Sequence, residues 1–70
     1  MRTQKANILN YMKIHGSITP LEALQNFGCM RLAARIHDLR EDGHRIVAET
    51  AHGVNRDGAR VTYTRYKLGA

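Results

Sequence analysis

Two arginines lie four residues apart in the run MRLAAR, Arg31 and Arg35, with Ala34 between them and Met30 in front. A guanidinium offers a planar fork of donors that can grip guanine O6 and N7, or a phosphate, in two places at once. A small neighbour such as Ala34 leaves room for close approach to a base edge. A second cationic group closes the chain. Residues 51–70 hold Arg56, Arg60, Arg65 and Lys67 against Asp57 alone, four positive charges minus one negative, or +3. With Asn55 beside it, this segment suits contact with a phosphate backbone or entry into a narrow minor groove. Ser17 and Thr19 stand before an apolar run, where a hydroxyl first caps a helix and can also touch a phosphate. The bland alternatives are a solvated helix face for the arginines and a solubilising loop beside a charged edge strand for the tail.

Other chemistries find little support. Cys29, His15, His37, His44 and His52 show none of the paired spacings of a zinc site. Cys29 is expected to pack at a turn. No Gly-rich phosphate loop and no nucleophile with a base and an orienter is apparent, so neither an enzyme nor a cofactor is expected.

Seventy residues suffice for one domain spanning 1–70. Of these, 43% are apolar, yet Trp is absent and Phe occurs once, so aliphatic side chains must fill the interior. One cysteine cannot make an internal disulfide, and no apolar run nears the roughly 20 residues that span a bilayer. The start MRTQKANILN lacks the hydrophobic stretch of an export signal. The expectation is a cytoplasmic protein with no membrane partner. The net charge of +5 favours a polyanion.

The elements that position these residues follow from spacing. Thr3 to His15 carries Ile8 and Met12 on one face and ends at Gly16, a C-cap residue. Ser17-Ile18 forms a short extended bridge. Thr19-Pro20-Leu21-Glu22 has the form of a capping box with proline at the first helical position, so a second helix starts at Pro20. It turns Leu21, Leu24 and Phe27 inward and stops at Gly28. A third helix is expected from Met30 to about Asp42, with Leu32, Ile36 and Leu39 as its buried stripe. Its acids, Asp38, Glu41 and Asp42, sit toward its C-terminus and leave the opening turns cationic. Arg45 to Thr50 and Val61 to Leu68 read as strands joined by a wing over 51–60, with its turn at Asn55-Arg56-Asp57-Gly58. Alternation puts Thr62, Thr64, Tyr66 and Leu68 inward and Val61, Tyr63, Arg65 and Lys67 outward. The expected core is Ile8, Met12, Leu24, Phe27, Leu32, Ile36, Leu39 and Leu68.

Three short helices followed by a two-stranded β-hairpin wing with a basic tip make an α+β, winged helix-turn-helix order. The segments SITPLEAL, GCMRLAARI and DLREDG and the closing RYKL, spread over most of residues 8 to 68, strongly resemble the small helix-turn-helix proteins common in bacteriophages and prophages. The resemblance implies a winged helix that binds double-stranded DNA. In that reading the helix at 30–42 enters the major groove, and the protein, nucleoid-associated in a bacterial host cell, regulates transcription or serves as an architectural or recombination factor. A monomer of this size covers about a half-site, so tight binding calls for cooperative loading or weak self-association on DNA. The alternative from another class is a protein-interaction module that docks a protein partner through the third helix or the wing.

Overall fold

A computed structural model of the chain describes residues 3–69. The first helix, α1, spans Gln4–His15; Thr3 Oγ1 caps it by accepting the Ala6 N–H at 3.2 Å, and Gly16, at φ 88°, closes it. The next two residues, Ser17–Ile18, form strand β1, followed by α2 at Pro20–Phe27 and α3 at Leu32–Glu41. Strands β2, Ile46–Val54, and β3, Arg60–Leu68, form the hairpin.

The bridge at Ser17-Ile18 is therefore a true strand. It pairs antiparallel with Lys67 and Tyr66, so the sheet has three strands in the order β1-β3-β2 and is not a two-stranded hairpin alone. The expected strand Arg45 to Thr50 also runs further, to Val54. Ala51, His52 and Gly53 have little preference for a strand, but the register against Tyr63, Thr62 and Val61 carries them into the ladder. This shortens the wing from 51–60 to a turn over 55–59. There the Gly58 N–H donates to the Asn55 carbonyl at 3.0 Å and the Asn55 N–H to the Ala59 carbonyl at 2.9 Å.

The core gathers Ile8 and Met12 of α1, Ile18 of β1, Ala23 of α2, Cys29 of the turn, Leu32, Ile36 and Leu39 of α3, and Ile46 of β2. Phe27 and Leu68 are partly buried against it, with Leu9, Tyr11 and Tyr66. Leu24 is not in the core: it is 47% exposed and Leu21 61%, while the small Ala23 is fully buried. The apolar arc of this two-turn helix is wider than the surface its neighbours cover, and contact falls on the Ala23–Phe27 side of it. On β3 the inward set holds for Tyr66 and Leu68, whereas Thr62 is exposed, because the far half of the hairpin has no helix beneath it.

Candidate nucleic-acid interface

The connection between α2 and α3 is fixed by backbone geometry. Gly28 adopts φ 63°, where glycine pays no Cβ penalty, and its N–H returns to Leu24; the Cys29 N–H reaches the Ala23 carbonyl at 3.2 Å. Cys29 is buried at this corner, as its place in the sequence suggested. Ahead of it, Thr19 Oγ1 accepts the Glu22 N–H at 3.2 Å while a Glu22 carboxylate oxygen accepts the Thr19 N–H at 2.9 Å, completing the capping box. The second oxygen of Glu22 accepts from the Tyr11 hydroxyl at 3.0 Å, and this bond to a carboxylate raises the phenol above its usual 10.0.

The third helix starts two residues later than expected, at Leu32, and ends at Glu41. Met30 and Arg31 therefore precede it instead of forming its first turn. Arg31, at the N-cap, makes no side-chain cap bond, and no acid lies in the first turn. Threonine caps both α1 and α2, whereas α3 has no side-chain cap; the Ala34 N–H turns to the Arg31 carbonyl at 3.1 Å, and the N–H groups of Leu32 and Ala33 find no partner among the described residues. Beside this opening, Met30 is 86% exposed and Arg31 is exposed, with no salt bridge among the described residues. Ala34 follows on the same outer face. Arg35 is differently placed: its Nη2 lies 3.3 Å from Asp38, and its Nε is buried without a partner.

His37 belongs to this face too, exposed one turn beyond Ala34 and 3.4 Å from Glu41. The sequence weighed His37 only as a metal ligand. Its three-residue spacing from Ala34 is the signal that places it here.

The hairpin sorts its cations. Arg65 and Lys67 both approach Glu49, at 3.3 and 3.4 Å, so the charge of Arg65 is largely met within the sheet. Arg56, in the turn, and Arg60, at the start of β3, are exposed and have no acidic partner among the described residues. The Asn55 side-chain oxygen accepts the Asp57 and Ala59 N–H groups at 3.0 and 2.9 Å, so this residue builds the turn and its oxygen is committed to it. Ser17, Thr19, Asn55 and Arg65 come together around an open groove of about 720 Å³ between the start of α2 and the hairpin. Met30, Arg31, Ala34 and Arg35 lie apart from it.

A family model described as a winged helix-turn-helix domain matches residues 3–70. The chain belongs to that family. No curated protein matches it, and no solved structure does. In a winged helix-turn-helix domain α3 is the second helix of the helix-turn-helix and the β2–β3 hairpin is the wing, and this membership points in general terms to DNA binding. No helix among the described residues is long and apolar enough to cross a membrane.

Proposed function

We propose that this domain binds double-stranded DNA without catalysing a reaction on it, with α3 entering the major groove by its N-terminal end and the 55–60 turn resting on the backbone or in the adjoining minor groove. The observation that carries the reading is the uncapped, cationic entrance to α3. Open N–H groups at the positive end of a helix dipole, with Arg31 beside them, attract a phosphate. Asp38 and Glu41 lie further along the helix, so end-on entry keeps both acids away from the backbone charge. Arg31 reads a base edge or grips the neighbouring phosphate, and Arg56 and Arg60 neutralise backbone. The role that fits is a transcriptional regulator, or an architectural or recombination factor, of bacteriophage or prophage type, working inside the bacterial cell.

Selection of duplexes from a random pool tests this reading. An enriched motif, bound with an affinity that falls steeply as salt rises, supports it. No enrichment and no salt-dependent binding would overturn it. The second reading, a module that docks a protein partner, is favoured by one observation: Leu21, Val54, Val61 and Tyr63 expose apolar surface around the groove beside α2.

A further inference from the structure

The strand order β1-β3-β2 leaves β2 at the edge of the sheet, paired on one side only. Two bonds bracket its ladder to β3, Gly69 N–H to the Arg45 carbonyl at 2.8 Å and Asn55 N–H to the Ala59 carbonyl at 2.9 Å. With an unbroken register between them, the odd-numbered residues of β2 bond to β3. The even-numbered ones turn their N–H and C=O groups to the open edge. Those are Ile46, Ala48, Thr50, His52 and Val54. The Ile46 carbonyl is already occupied, accepting from Arg40 Nε and Nη2 at 3.3 and 3.0 Å. Both edge groups remain open on Ala48, Thr50, His52 and Val54, and all four residues are exposed.

Edge strands of soluble proteins are normally blunted by brevity, proline, lysine or a bulge. This one is nine residues long, holds neither proline nor lysine, and has no break in register. Its single charge, Glu49, is held by Arg65 and Lys67.

We propose that β2 is a self-association edge, where a second copy of this chain adds its own β2 antiparallel to form one continuous six-stranded sheet. The open groups choose the register. Ala48, Thr50, His52 and Val54 are centred on residue 51, so a two-fold axis at Ala51 pairs Ala48 with Val54 and Thr50 with His52 of the other copy and satisfies all of them. At the axis the two Ala51 side chains meet, and alanine is small enough for the close approach of a non-hydrogen-bonded pair. No like charges stand opposite one another. Glu49 faces Gly53, and Arg45 comes opposite Asp57, the one acid with no side-chain partner among the described residues. Moving the axis two residues, to Glu49, would set Glu49 against Glu49. The interface is narrow, so the dimer is weak and reversible in free solution. The proposal does not depend on DNA binding, and its test contains no DNA.

Sedimentation equilibrium of the whole chain up to about millimolar concentration should show a weight-average mass rising toward twice the monomer's. Thr50→Pro removes an edge N–H without taking a bond from the β2–β3 ladder, and should weaken association at least about tenfold while circular dichroism and the melting temperature hold. Oxidation should link Ala51→Cys into a dimer, because the paired Cα atoms lie about 4.5 Å apart, within disulfide reach. Val47→Cys, whose two copies would be about 27 Å apart, should not link. A strictly monomeric protein, an unchanged dimer in folded Thr50→Pro, or equal cross-linking of the two cysteine variants would each overturn the proposal. If Thr50→Pro does not fold, the cysteine pair alone decides.

Discussion

Around α1, α2 and α3 each helix turns at least one fully buried side chain inward, and these meet in one cluster; along the hairpin between Val47 and Arg65, Ala51 is the sole buried residue. The helical end is held by packing and the far end of the wing by its ladder and the Asn55 turn. Charge is divided as well, between paired cations and free ones. Lys5 is paired with Asp42 at 2.6 Å, Arg35 with Asp38 at 3.3 Å, and Arg65 and Lys67 at the hairpin's base with Glu49, whereas Arg56 and Arg60 at the wing tip, like Arg31 at the α3 entrance, have no acidic partner among the described residues. Packing builds a rigid body here, and its absence leaves an exposed ribbon, with Val54, Val61 and Tyr63 as well as Arg56 and Arg60 open to a partner. A two-stranded ribbon alone is marginal in water, so the wing's order depends on what anchors its base.

The largest test of this contrast is truncation on either side of it. Ile36→Ala or Leu39→Ala should cost about 2–5 kcal/mol in denaturant unfolding, most of what so small a domain has. Val61→Ala in the wing should cost well under about 1 kcal/mol. Equal losses would mean that the wing shares the core's stability. Next comes binding. Arg31→Ala should lose about 1–3 kcal/mol of duplex affinity and relax preference at one base pair; Arg56→Ala or Arg60→Ala should weaken all sequences alike and lower the salt slope by about one. Arg35→Ala tests whether its pairing with Asp38 yields to DNA: an effect as large as that of Arg31→Ala would show that it does. If all four variants bind as the parent does, the DNA-facing assignment fails.

A smaller effect belongs to the joint between the two regions. Thr19→Ala should cost about 1 kcal/mol through loss of the α2 cap, seen as a lower denaturant midpoint, and an unmoved midpoint would show that the cap is dispensable. The smallest is confined to alkaline solution. The Tyr11 phenol is raised above 10.0 by its bond to Glu22, so the folded state holds the proton more tightly than the unfolded chain. That contribution is complete below pH 10 and is lost as the pH rises through the elevated value. Tyr11→Phe should flatten the alkaline limb of a melting-temperature profile; a profile parallel to the parent's would remove Tyr11 from the account.

Much of the fold was legible because local chemistry agreed with it. Thr19, Pro20 and Glu22 announce the start of α2, and Leu32, Ile36 and Leu39 carry the period of α3. Leu24 misled because an apolar arc says only that some part of a helix is covered, and in a helix of eight residues a neighbour's position decides which. The extension of β2 to Val54 was hidden because it rests on the partner strand and not on its own residues. Among the candidate site residues, type and spacing located the exposed arginines. They could not show that Arg35 and Arg65 lean on Asp38 and Glu49, since those pairings arise from rotamers and, for Arg65, from sheet register.

Glu22 serves two helices with one carboxylate, a sharing that governs which substitutions the joint accepts. Glutamine can keep both contacts, its amide oxygen accepting from the Thr19 N–H and its amide nitrogen donating to the phenol oxygen. Aspartate preserves the charge but is one methylene too short to hold both, so at this position length outranks charge. Tyr11 and Thr19 are then constrained as a pair, each tolerating change only so far as the residue between them still spans the gap.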